Sequence, residues 1–191
     1  MIEFISMLIY LLAVGAVFGC VSLGGIQEEC GPNPGGQNEL YIIAKRDLES
    51  IPDADEATHT ISEDIVPKTG KGFVKWDFAL DTGELTSETT GDQGNQACKV
   101  GVGVYVPRSN PKVDKVINQS YNTEFVVIGV DALGQKKIAG NLSRGLMFTS
   151  KYTSGKKFED KNGREVGFAG GQPNEPYFYT GVIPLAAPAA G

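Results

Sequence analysis

Along much of this chain apolar and polar residues alternate with a period of two, the repeat that sends successive side chains to opposite faces of a strand. In residues 73–80, Val74, Trp76, Phe78 and Leu80 fall on one side and Phe73, Lys75, Asp77 and Ala79 on the other, which predicts a strand with one wholly apolar face. Residues 40–44 (LYIIA) and 124–131 (EFVVIGVD) are short, β-branched and apolar, as buried strands are. Residues 98–106 (CKVGVGVYV) read as another strand, in which Gly101 and Gly103 signal a bulge or a close backbone neighbour. Further strands are expected at 137–139, 145–152, 165–168 and 177–183, separated by Gly-rich turns. The period changes once. Val113, Val116, Ile117 and Tyr121 recur at helical spacing behind Asn110 and Pro111, a cap residue followed by a first-turn proline, so a helix is predicted over 111–121. These elements describe a mainly β (α+β) chain, an antiparallel β-sandwich or barrel with one packed α-helix.

Polar breaks delimit the domain. Residues 30–38 (CGPNPGGQN) admit no regular element and open it, and 67–72 (PKTGKG) form a turn. Residues 47–64 carry seven carboxylates and no base, a surface composition. Residues 82–96 (TGELTSETTGDQGNQ) are too polar for a core and are expected as a long loop or a protruding hairpin. The end of the chain, 184–191 (PLAAPAAG), is of low complexity and expected to be mobile. Residues 4–26 contain no charge and are long enough to span a bilayer. A signal peptide is disfavoured by Glu3 and the lack of a base before the apolar run, and a lipid-modified Cys20 by Phe18 two residues ahead of it. A signal, a membrane anchor and a non-membrane extension or mis-assigned start remain open for this segment. The organisation is thus a hydrophobic segment 1–26, a β-domain 27–183 and a tail 184–191.

Composition narrows the chemistry. With one His, one Trp and three Cys, the chain has little material for a metal cluster, a Ser/His/Asp set or a disulfide framework, and no catalytic, cofactor or metal residue is assigned. Lys68-Thr69-Gly70 and Ser109-x-x-Lys112 stand in the wrong order for a serine acyl-enzyme. The Gly31–Gly36 stretch lacks the Lys and the helix of a phosphate loop. His59 reads as an exposed loop imidazole, and Asp53, Asp55, Glu56, Glu63 and Asp64 as a solvated acidic face without calcium-loop spacing. Cys30 and Cys98 are read as reduced thiols or a pair. Asn118 and Asn141 match the glycosylation acceptor pattern, which is common by chance. A net charge of -6 argues against a duplex-gripping surface.

Charge is segregated, however. Residues 47–96 hold at least eleven carboxylates against three Lys, whereas 135–165 hold eight Lys and Arg against three acids. If the two regions emerge at opposite ends of a domain, copies stack head to tail with complementary potentials. The residues expected at such a contact are Glu84, Glu88 and Asp92 on one side and Lys136, Lys137, Lys156 and Lys157 on the other.

Residues 30–52 (CGPNPGGQNELYIIAKRDLESIP), 73–94 (FVKWDFALDTGELTSETTGDQG) and 163–186 (GREVGFAGGQPNEPYFYTGVIPLA), with 124–140 and 149–163 between them, are similar in content and order to a family of virion structural proteins. The family belongs to tailed phages of Bacteroides-like gut bacteria and is read as tail tube proteins. The resemblance implies a β-sandwich or barrel with a single helix, hexameric rings that stack into a tube, and other tail proteins as partners. It implies that DNA passes through without specific binding and that the protein resides in the virion tail after assembly in the host cytoplasm. The hydrophobic residues 4–26 depart from that pattern. The competing reading is a membrane-anchored or secreted β-sandwich that binds a partner at a bacterial cell surface.

Overall fold

A computed structural model describes residues 25–26 and 30–187, and the chain divides into a unit ending at Pro32 and a unit beginning at Asn33. The fold described is that of the second unit. Apart from Gly25 and Ile26, the apolar segment 4–26 lies outside the described residues; among the described residues no helix is long and apolar enough to cross a membrane.

The elements run β1 (Gln37–Ala44), a short 3-10 turn (Lys45–Asp47), β2 (Leu48–Ser50), β3 (Thr60–Ile61), β4 (Val66–Pro67), β5 (Val74–Trp76), β6 (Glu84–Thr90) and β7 (Ala97–Pro107). After helix α1 (Pro111–Ser120) come β8 (Glu124–Asp131), β9 (Lys136–Ala139), β10 (Leu146–Thr153), β11 (Gly163–Gln172) and β12 (Tyr177–Tyr179). Among the described residues the fold is mainly β with one α-helix, as the patterning predicts.

β8 organises it. One edge pairs with β1 from Phe125 to Asp131; on the other, its first residues pair with β10 and its later residues with β9. The sheet therefore forks at β8 into one arm running β10-β11-β7-β6 and another running β9-β12-β3. The long arm curls back towards β1. Ala79 N donates to Tyr105 O at 2.8 Å and Gln37 N to Gly83 O at 2.9 Å, so residues 79–83 bridge β7 to β1. The fork gives the β1–β8 pair two buried faces. Leu40, Ile42, Phe125 and Val127 face a first core with Val100, Val102, Val104, Leu146, Val166 and Phe168. Ile43, Val126 and Ile128 face a second core with Ile61, Ile65, Phe73, Ile138 and Tyr179. The continuous apolar run from Phe125 to Val130, with β-branched Val126, Val127 and Ile128 at its centre, is the sequence of a strand with no solvent face.

α1 seals the first core through Ile117 and Val113. Its start follows the expected chemistry: the Asn110 side chain accepts from Val113 N at 2.9 Å and Pro111 occupies the first turn. The helix ends where Tyr121 turns to extended backbone, φ -63° and ψ 144°, and Asn122, at φ 54°, is the left-handed residue of the turn that follows. Asp114 anchors the helix to β11 by accepting from Arg164 at 2.8 Å and from Ser109 Oγ at 2.9 Å. The Ser109 hydroxyl, and then the Arg164 guanidinium, hold the Asp114 carboxyl below its ordinary pKa.

Three expectations are corrected. The strand of residues 74–80 ends at Trp76, because the chain there leaves β1 and takes Tyr105 of β7 as its next backbone partner; Trp76 and Phe78 still pack on the first core, but Leu80 is exposed. The strand of residues 177–183 ends at Tyr179, whose hydroxyl donates to Val182 O at 2.6 Å around a turn at Gly181. A Cβ at Gly181 would lie 2.7 Å from that hydroxyl, so the turn needs glycine. The pairing is antiparallel, as expected, except between β12 and β3, which run in parallel. Residues 184–186 are tied down, with Phe73 N donating to Pro184 O at 2.8 Å and Ala186 N to Phe73 O at 2.9 Å; residues 188–191 lie outside the described residues.

Candidate functional site: the two ends of the long sheet arm

The arm β10-β11-β7-β6 is a ladder without register shifts, and its register fixes where every loop emerges. β11 pairs with β7 from Gly163↔Pro107 to Gln172↔Cys98. At about 3.3 Å per residue the two limits stand about 30 Å apart. The β6–β7 turn, residues 91–96, and the chain after Gln172 leave from one end; the β10–β11 loop, residues 154–162, leaves from the other.

The first end is acidic. Residues 82–96 form the protruding hairpin rather than the loop, with β6 pairing along β7 from Glu84↔Gly103 to Thr90↔Ala97. Alternation places Glu84, Thr86, Glu88 and Thr90 outward and leaves Leu85 to reach the first core. Glu88 stands opposite Lys99, and Asp92 sits in the turn. Of the two glycines flagged in β7, Gly101 has the close neighbour, since a Cβ there would lie 2.9 Å from Thr86 Oγ1; nothing approaches Gly103.

Beside this hairpin lie two adjoining hollows of about 530 and 640 Å³ that share Glu56, Pro173, Asn174 and Tyr177. Ile51, Ala54, Ile61, Ile138, Leu142 and Tyr177 supply apolar surface to the larger one. Asp53, Glu56 and Glu175 are exposed around them, and no Lys or Arg lines either. Buried Gln172 holds the wall by accepting from Gly140 N at 2.9 Å and donating to Asn174 O at 2.7 Å. His59, expected as a free loop imidazole, is half-buried and stacks on Tyr177 with ring centroids 4.3 Å apart. Cys98 and Cys30 are both free; Cys98 faces the first core, and burial pushes its thiol pKa up. Asp55 is occupied by its own turn, accepting from Ala57 N at 3.0 Å and from Thr58 Oγ1 at 2.8 Å. Among the described residues no three His, Cys, Asp or Glu side chains gather as metal ligands would.

The other end is basic. The β10–β11 loop carries Lys156, Lys157 and Lys161, all exposed. Asp160 is turned into the loop, where its carboxylate accepts from Lys157 N at 2.8 Å and Lys156 N at 2.7 Å. Those two backbone donors hold its pKa below the usual carboxylate value. The resulting tight turn leaves Phe158 projecting, fully exposed.

The lysines expected to act together are divided by the structure. Lys136 and Lys137 sit on β9, away from this loop in the sheet order; Lys136 Nζ donates to Gly181 O at 2.7 Å and lies over the Tyr179 ring, and Lys137 lies over the Phe178 ring. They brace the second core, while Lys156 and Lys157 stay exposed at the basic end, Lys157 with Glu159 Oε1 3.9 Å from its ammonium. Phe158 escaped the sequence reading. The signal available was an aromatic residue enclosed by Lys, Asp, Asn and Gly, where no apolar neighbour exists to bury it.

Compared with protein-family models, curated proteins and solved structures, the chain matches none.

Proposed function

We propose that this protein is a structural subunit that stacks head to tail with copies of itself, and that the stack is a phage tail tube. The observation that carries the reading is the placement of the hairpin turn with Asp92 and the acid-rimmed hollows at one limit of the sheet arm and the basic loop at the other, with Glu84 between them opposite Gly103. A contact between unlike ends of identical chains is heterologous, and it propagates as a ring or filament. Two further features support side-by-side assembly. Among the described residues β6 ends its arm of the sheet with one edge unpaired, and it contains no proline or lysine. The outward face of the arm is rich in small residues, with Thr149, Gly167 and Gly103 in one row and Met147, Ala169 and Gly101 in the next. That face carries Glu84, Glu88 and Glu165 against Lys99 and Lys151, so it offers no concentration of cations to a phosphate backbone. A tube lined by it lets DNA slide.

The test is sedimentation and electron microscopy of the full chain over a range of concentration and salt. Rings or stacked tubes are expected, forming more readily at low ionic strength because exposed charges are screened within about 8 Å at physiological salt. A monomer at every concentration and salt would overturn the reading. Fluorescence anisotropy with duplex DNA at about 0.15 M salt is expected to show no saturable binding below about a micromolar.

A further inference from the structure

We propose that Phe158 of one copy seats in the hollow between Ile51, Ile138 and Tyr177 of the next copy. The inference rests on the self-assembly reading and names its contact. The projecting ring and the receiving hollow are each incomplete alone. Phe158 exposes its whole side chain at the tip of a loop whose turn is fixed by Asp160 accepting from Lys156 N and Lys157 N. A ring held out on a preordered turn loses little conformational freedom on docking. The hollow, of about 640 Å³, is large enough to admit a phenyl ring together with the turn that carries it, and its lining sets Ile51, Leu142 and Tyr177 beside polar Asp53, Asn141 and Asn174.

Charge selects the occupant. Lys156, Lys157 and Lys161 flank the ring in sequence and outnumber the exposed Glu159 beside it, whereas Asp53, Glu56 and Glu175 stand around the hollows and no cation lines them. An aromatic anchor encircled by complementary charge is the form in which interface energy concentrates. Ring and hollow also stand at opposite limits of the β7–β11 ladder, so one copy cannot satisfy its own pair and the next copy must. Each stacking step then buries one aromatic ring and leaves a fresh ring exposed at the growing end.

The full chain with p-benzoylphenylalanine in place of Phe158 is irradiated under assembling conditions, digested and read by mass spectrometry. Products joining position 158 to residues 51–61 or 172–177 of another copy are expected. Phe158→Ser should raise the concentration for half-assembly at least about tenfold, with an unchanged circular dichroism spectrum because the side chain touches nothing in the monomer. Glu56→Lys with Glu175→Lys should do the same, and mixing that variant with Lys156→Glu, Lys157→Glu protein should restore mixed stacks. Normal assembly of Phe158→Ser with photoproducts elsewhere would overturn the contact while leaving self-assembly standing. A monomer throughout would overturn both. Photoproducts with phosphatidylglycerol vesicles, and none between copies, would assign the ring to a membrane surface and overturn the contact.

Discussion

β8 and β6 are strands of similar length in one sheet, and they are built on opposite principles. Val126, Val127 and Ile128 of β8 have no solvent exposure, with neighbours on both faces and both edges. β6 pairs along one edge only, and Leu85 is its single side chain that reaches a core. Apolar burial holds the first in place; β6 is held by its ladder to β7. A strand that adds little to the stability of the subunit is free to be shaped by what the subunit meets. The acidic hairpin is built from such a strand, and the basic loop likewise lies outside both cores.

The largest effect should come from breaking the buried strand. Ile128→Ala is expected to cost about 2–5 kcal/mol in denaturant unfolding, whereas Thr86→Ala on β6 should stay within about 0.5 kcal/mol. Equal costs would remove the distinction. Next is Gly140, at φ 86° and so close that a Cβ would lie 2.9 Å from Phe125 O. Gly140→Ala should cost about 1–3 kcal/mol, since strain and crowding act together where β8 and β9 meet. Asn110→Ala, which removes the helix cap, is expected to cost about 1 kcal/mol in thermal unfolding.

A pH series sharpens the comparison at the helix. Asp114 has a depressed pKa in the folded protein, so its contribution is present above the unfolded value of about 3.9 and is lost as pH falls through the lower folded value. The melting-temperature gap between the wild type and Asp114→Asn should therefore be widest near neutral pH and close in acid. A gap constant with pH would show that the Arg164 and Ser109 contacts do not couple to this carboxyl. The smallest effect on stability belongs to the edge. Glu84→Lys with Glu88→Lys sets a like charge directly opposite Lys99, and the monomer should lose no more than about 1 kcal/mol. The same variant should assemble measurably less well in size-exclusion chromatography at low salt.

Elements whose determinants are local were legible in the sequence. Helix 111–120 announces itself through Asn110, Pro111 and the spacing of Val113 and Ile117, and residues 124–131 through a continuous apolar run centred on Val126, Val127 and Ile128. What escaped depends on partners distant in sequence. Nothing near Asp77 records that the chain exchanges β1 for β7, so the alternation through Leu80 suggested a longer strand than exists. β6 lacks the apolar face that periodicity detects, because its order comes from β7. At the candidate contacts, the charge imbalance between two stretches was visible, but only the β7–β11 register sets them at opposite ends. The same folding withdrew Lys136 and Lys137 to the Tyr179 and Phe178 rings.

The strap from Pro184 to Ala186 also sets an order of events during synthesis. Phe73 is an early residue of the chain, yet its backbone is paired on both sides of Leu185, and its core waits for Tyr179 as well. The first core needs nothing later than Phe168. As the nascent chain emerges, the side of the β1–β8 pair facing the first core can close while the other stays open to solvent, until the ribosome has delivered Ala186. A translating pool of this protein would hold half-finished sheets whose second apolar face is a target for chaperones, and premature release of the chain short of the strap would leave Phe73 without its seat.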